Sequence, residues 1–160
     1  MLEQIAAVLG RSPRGLFIIT ARHPSGLETG LLASWVQQAS FEPPAVTVAV
    51  NQKRYLNAWL SEQPHLAINL IGESQKQFLS HFGKGFEPDE PAFNGLSIGR
   101  SPCGLPVLSD ALGWMTGTIQ GELEAGDHRI YLVQLAAAGV GSALTTEKPW
   151  VHIRKNGLGY

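Results

Sequence analysis

A single cysteine, Cys103, among 160 residues means that neither a disulfide framework nor a four-cysteine zinc site can form within the chain. That thiol sits in Ser-Pro-Cys-Gly-Leu-Pro with no cation nearer than Arg100, so it reads as an inert loop thiol. Charge is sparse too. Charged residues make up 16% against 44% hydrophobic, which excludes disorder, and a formal net charge of -1 supplies no field for gathering nucleic acid. No apolar run approaches the roughly 18 residues of a membrane-spanning helix. The opening MLEQIAAVLGR lacks the basic start and long apolar centre of a secretion signal, so a cytoplasmic protein away from membranes is expected. G-x-x-x-x-G-K-[ST], a strand-borne G-x-G-x-x-G and G-x-S-x-G are all missing, which argues against Walker, Rossmann and nucleophile-elbow sites. His23, His65, His81, His128 and His152 are scattered without metal-ligand spacing, so no metal site is expected.

What is present fits one domain over residues 1–160, with no repeat or linker. Leu2, Ile5, Ala6 and Leu9 predict a short amphipathic helix ended by Gly10 and Ser12-Pro13. Leu16 to Thr20 predicts a strand, Pro24-Ser25-Gly26 a turn, and Glu28 onward an antiparallel return. Past Pro43-Pro44, Ala45 to Val50 is apolar on both parities except at Thr47, which predicts a central strand covered on both faces. Tyr55 to Leu60 predicts a helix closed before Pro64, and Leu66 to Ile71 a buried strand. Ser74 with Gln77 fits a capping box for a helix carrying Phe78, Leu79 and Phe82 and ending at Gly83.

Lys84 to Pro106 is too rich in Gly and Pro for long regular structure; it reads as a packed functional loop or a loose excursion, with Phe86, Phe93 and Leu96 favouring packing. Thr116 to Glu124 alternates as a half-exposed strand, Ala125-Gly126-Asp127 turns it, and His128 to Leu135 returns. Trp150 to Arg154 is a last short strand. About seven strands and two or three short helices predict a mainly β fold, a closed or nearly closed antiparallel barrel.

Three stretches could carry chemistry. Ala33-Ser34-Trp35 and Gln38-Ala39-Ser40 offer small residues through which backbone can approach a flat ligand, although such residues also serve as strand filler. Asn51-Gln52-Lys53-Arg54 puts two cations where a strand gives way to a helix, suited to a phosphate or to a solvated turn. Gly126-Asp127-His128 makes His128 the first side chain of a returning strand, placed to orient a second substrate or merely to occupy the strand.

Taken together, the first-strand Gly15-Leu16-Phe17 to Thr20-Ala21, the run Ala33 to Pro44, Ala67-Ile68-Asn69-Leu70, Gly104-Leu105-Pro106-Val107-Leu108, Gly126-Asp127-His128 and Arg154-Lys155-Asn156-Gly157 with Tyr160 resemble the flavin reductase-like domains of the FMN-binding split barrel. The Ser-Trp-Val-Gln-Gln variant is most similar to the domains attached to cyanobacterial diflavin flavoproteins and to small stand-alone flavoproteins. The resemblance implies a homodimer holding FMN, with FAD as an alternative, in which NAD(P)H reduces the flavin and electrons pass to a redox partner or dioxygen. A non-enzymatic flavin carrier or store is the runner-up.

By the same resemblance Leu32, Ala33, Ser34, Trp35, Gln38, Ala39 and Ser40 line the isoalloxazine, and Asn51, Lys53, Arg54 and Tyr55 approach the phosphate. Phe82 and Lys84 add to the flavin site. His128, as the catalytic group, and Tyr160 meet the pyridine nucleotide. Two departures stand out: Lys53-Arg54-Tyr55 replaces the usual hydroxyl residues of the phosphate segment, and Trp35 replaces a small residue.

Overall fold

The periodicities translate into an ordered series of elements in the computed structural model, which describes residues 1–159. The chain opens with α1 (Leu2–Arg11), then β1 (Arg14–Gly15), β2 (Phe17–Arg22), β3 (Glu28–Ala33), β4 (Val36–Ser40) and β5 (Ala45–Asn51). Next come α2 (Leu56–Glu62), β6 (His65–Leu70), α3 (Lys76–Phe82), β7 (Ile98–Arg100) and β8 (Pro106–Leu108). The long β9 (Gly113–Ala125) and β10 (His128–Val140) precede β11 (Val151–His152). Seven strands form one antiparallel sheet in the order β3-β2-β6-β9-β10-β5-β4, while β1 pairs with β11 and β7 with β8.

The two edge strands of that sheet are consecutive in the chain. Laid flat, seven strands about 4.8 Å apart would hold β3 and β4 some 29 Å from each other. Only Ser34 and Trp35 join them, a link that spans about 10 Å at most. The sheet therefore curls until its edges approach, giving the expected split barrel, and Ala49 N–H donates to the Trp35 carbonyl at 3.0 Å to help hold the seam.

Two larger cores, beside a small cluster of Ala67, Leu105 and Val107, result from the alternation of side chains. Ile19 and Ala21 of β2, Val46, Val48 and Val50 of β5, and Ile68 of β6 point inside the barrel, which Leu56, Trp59 and Leu60 of α2 help fill. Leu16, Ile18 and Ile71 point the other way, onto Phe78 and Phe82 of α3 and Leu108 of β8. Each such fully buried aliphatic or aromatic side chain contributes about 1.5–3 kcal/mol. Phe86, Phe93 and Leu96 pack on the outer core, so the 84–106 segment is a packed loop. Asn69, fully buried, secures its far end by donating to the Ile18 carbonyl at 2.9 Å and accepting from Leu108 N–H at 2.8 Å.

Three expectations need correction. β5 lies next to the edge, between β10 and β4, and β9 is the central strand. Its Val46, Val48 and Val50 are buried but Thr47, Ala49 and Asn51 are half-open, because Ala49 is apolar by type and lines a cavity rather than a core. No capping box forms at α3. Ser74 instead gives both its N–H and its hydroxyl to the Glu147 carboxylate, at 2.8 and 2.5 Å, a partner 73 residues away. Finally, β9 does not alternate between core and solvent along its length; from Gln120 to Asp127 the hairpin is exposed on both faces of this single chain.

Candidate functional site

The Ser34-Trp35 link leaves a gap at the barrel seam, and a cavity of about 490 Å³ opens there. Leu31, Leu32, Ala33, Ser34 and Trp35 make one wall, and Ala49, Val50 and Asn51 of β5 the facing one. Leu16, Leu79, Phe82 and Gly83 close it from the outer core. The volume and the apolar walls with small residues between them suit a flat, drug-sized ring system.

Lys53 and Arg54 stand at one end of this cavity. Their turn is built from within. Asn51 Oδ1 accepts from Lys53 N–H at 3.0 Å, and Asn57 Nδ2 donates to the carbonyls of Asn51 and Arg54 at 2.9 and 3.0 Å. Asn57 is buried in α2, and its Oδ1 accepts the Tyr131 hydroxyl at 2.7 Å, so a polar chain from β10 fixes the backbone under both cations. Burial raises the Tyr131 phenol above its ordinary value, which keeps it a donor. Gln52 N–H reaches the Asp127 carbonyl at 2.9 Å, tying the turn to the β9–β10 hairpin. None of the described residues lining the cavity is acidic.

Around Trp35 the construction differs. Its indole packs on the His128 imidazole with centroids 4.4 Å apart, and the Arg154 guanidinium lies 5.8 Å over its ring. His128 is 5% exposed, and its Nδ1 donates to Asp127 Oδ1 at 2.7 Å. That hydrogen bond is the main reason the Asp127 carboxyl is held below its ordinary value. His152 of β11 lines the cavity from the tail. Its pKa is depressed by burial first and then by Arg154 and Arg14, so the neutral ring is favoured.

The flavin reductase like domain family matches residues 9–157. The chain belongs to that family. Diflavin flavoprotein A 1 of Synechocystis is 36% identical over 161 residues, covering 99% of this chain and 27% of the relative, so the chain spans about a quarter of that protein's length. Among solved structures, the NADH:FAD oxidoreductase SgcE6 of Streptomyces globisporus superposes with a TM-score of 0.83 at 21% identity, covering 92% of this chain and 85% of that one. The styrene monooxygenase flavin reductase of Pseudomonas putida S12 does so at 0.77 and 22%, covering 92% and 91%. The split barrel of this family is thus the fold of the chain.

Within the family's barrel, Leu32, Ala33, Ser34, Trp35, Asn51, Lys53, Arg54 and Phe82 converge on the one cavity. Gln38, Ala39 and Ser40 run away from it along the edge strand β4 and do not line it. Tyr55 lies beneath the cavity, its hydroxyl 2.6 Å from Thr29 Oγ1 and its ring against Trp59. Lys84 is exposed just past the lining residue Gly83. His128 is behind Trp35 rather than on the cavity wall, and Tyr160 lies outside the described residues.

Sequence reasoning missed Leu16, Leu31, Ala49, Val50, Leu79, Gly83 and His152 as lining residues. It also missed Asn57, for which one signal existed: an amide amid Leu56, Trp59 and Leu60 on a helix taken to be apolar. Among the described residues no group of three potential metal ligands forms, and no helix is long and apolar enough to cross a membrane.

Proposed function

We propose that this domain binds FMN in the seam cavity and acts as an NAD(P)H-dependent flavin reductase, delivering electrons to a partner protein or to dioxygen. The observation that carries the reading is the cavity itself: apolar walls with small residues between them, and two cations at one end on a turn held by buried hydrogen bonds. Bound there, a flavin supplies acceptance of a hydride and onward passage of electrons.

The chain's own residues do the rest. Lys53 and Arg54 hold the phosphate by charge, with Asn51 shaping the turn. Leu32, Ala33, Ser34, Trp35 and Phe82 would line the ring system, the small Ala33 and Ser34 letting the backbone come close to it. His128, held by Asp127, sets the angle of Trp35 and so acts as a positioning residue on the pyridine-nucleotide side. FAD would fit only with its adenosine portion outside the seam. A homodimer accounts for Leu123, Leu132 and Val140, which are 63, 41 and 78% exposed on the β9–β10 pair. The greater length of the Synechocystis relative supports a redox partner domain.

The test is spectroscopic. The purified protein should take up FMN at micromolar concentration, and anaerobic NADH or NADPH should bleach the bound flavin promptly. No uptake overturns the reading. Uptake without bleaching favours a flavin carrier, which the burial of His128 behind Trp35 makes the second reading.

A further inference from the structure

Past Arg54 the seam cavity gives way to a slot of only about 10 Å³, which shares Arg54 and Leu31 with it and is closed by Thr29, Tyr55, Gly85 and Phe86. Such a slot holds at most a single water. Its outer side is built by the chain after α3: Gly85 N–H donates to the Phe82 carbonyl at 3.1 Å, and Phe86 meets Phe82 edge-on with centroids 5.8 Å apart. The segment is thereby pinned to the outer core. Gly85 has a φ of +79°, a left-handed conformation that glycine adopts freely, and its lack of a side chain makes room for Arg54, because a Cβ there would stand 2.9 Å from Arg54 Nη1. The guanidinium lies across the loop backbone.

Beyond that seat the charge reverses. Glu87 and Glu90 come next in the loop, the Glu90 carboxylate accepting from Glu87 N–H at 2.7 Å, and no ion pair among the described residues involves either of them. Their field reaches this corner. The Tyr55 phenol is raised by burial first and then by Glu87 and Glu90, with its Thr29 hydrogen bond and Arg54 acting the other way. Two cations therefore stand at the end of the cavity, and two carboxylates follow past it.

We propose that Arg54, seated on Gly85, is a specificity residue that ends the flavin site at one phosphate, so that the domain takes a flavin monophosphate and disfavours a flavin diphosphate. The inference rests on the seam cavity being the flavin site. A terminal phosphate monoester gathers about two negative charges on the oxygens that meet Lys53 and Arg54. The diphosphate of FAD divides its charge between two groups, and the second has to pass Arg54 toward Glu87 and Glu90, where like charge opposes it.

Flavin-free protein titrated with riboflavin, FMN and FAD at low ionic strength, where exposed carboxylates are least screened, reads the preference directly. FMN should bind roughly tenfold or more tighter than FAD. Glu87→Gln with Glu90→Gln, both on the surface and both close in shape to the original, should shrink the FMN-over-FAD preference by roughly threefold or more, through tighter FAD. Arg54→Ser should shrink it as well, through weaker FMN, with the denaturation midpoint of each variant unmoved. Equal affinity for FMN and FAD in the unsubstituted protein, or an unchanged preference in either variant, would overturn the assignment while leaving the flavin site in place. Binding of none of the three flavins would remove that site and the assignment together.

Discussion

The two ends of the seam cavity are supported in different ways. The Lys53–Arg54 end rests on hydrogen bonds inside the barrel, from Tyr131 through Asn57 to the turn carbonyls. The Trp35 end rests on the chain's outer segments: the tail carries His152 and Arg154, and it is clasped to α1 by Arg154 N–H to the Gly10 carbonyl and Gly157 N–H to the Ala6 carbonyl, both 2.8 Å. Gly10 and Gly157 touch so closely that a Cβ on Gly157 would stand 2.3 Å from the Leu9 Cβ. An anchored end suits a group that stays bound, while an end built from a clasped tail suits a ligand that comes and goes.

The strongest challenge to this contrast is the double substitution Lys53→Ala with Arg54→Ala. FMN affinity should fall roughly 100-fold, about 2.8 kcal/mol, with the denaturation midpoint almost unmoved. Unchanged affinity in a flavin titration would place the phosphate elsewhere and erase the distinction. Asn57→Ala tests the internal support. It strips two donors from the turn and leaves the Tyr131 hydroxyl buried without its acceptor, so urea unfolding should register a loss of about 2 kcal/mol together with weaker FMN binding. If stability falls and FMN affinity does not, the turn is fixed by other means.

Gly157→Ala probes the clasp. Overpacking against Leu9 and the Gly10 backbone should cost about 1–2 kcal/mol and loosen α1 toward proteolysis, with FMN affinity changed less than in the Asn57 variant. The smallest effect is expected from pH. Because His152 takes up its proton at lower pH in the folded chain than in the unfolded one, the unfolded chain is protonated first and stability declines as pH falls below the ordinary value of 6.5. Urea midpoints between pH 7.5 and 5.5 should therefore slope less in His152→Gln; parallel slopes would remove His152 from the packed face of the tail.

Much of the fold was legible because its information is local. The short apolar run from Leu66 to Ile71 and the Gly126-Asp127 turn mark strands wherever they lie, and the two cations at 53 and 54 announce themselves at the end of one. What stayed hidden depends on partners distant in sequence. Ser74 looked like a helix cap until Glu147 took its donors. Asn57 carries no mark of its task until Tyr131 and the turn give its side chain three partners, the Tyr131 hydroxyl and the carbonyls of Asn51 and Arg54. Ala49 counted as core because hydrophobicity does not distinguish a residue facing packed side chains from one facing an empty slot. Arg14 and His152 are brought together only through a two-residue ladder that no periodicity reveals. The long hairpin tip looked half-exposed, and lone-chain burial shows it wholly open, consistent with a face that awaits another surface.

The strand order has a consequence for synthesis. β2, β3 and β6 form one partial sheet, β4 and β5 another, and only β9 and β10 hydrogen-bond the two together. Both walls of the cavity have left the ribosome before the strands that set their spacing exist. Loading of a ligand during translation is thereby excluded until the β9–β10 segment emerges, and nascent chains stopped before Gly113 should hold every lining residue but His152 without holding a cavity.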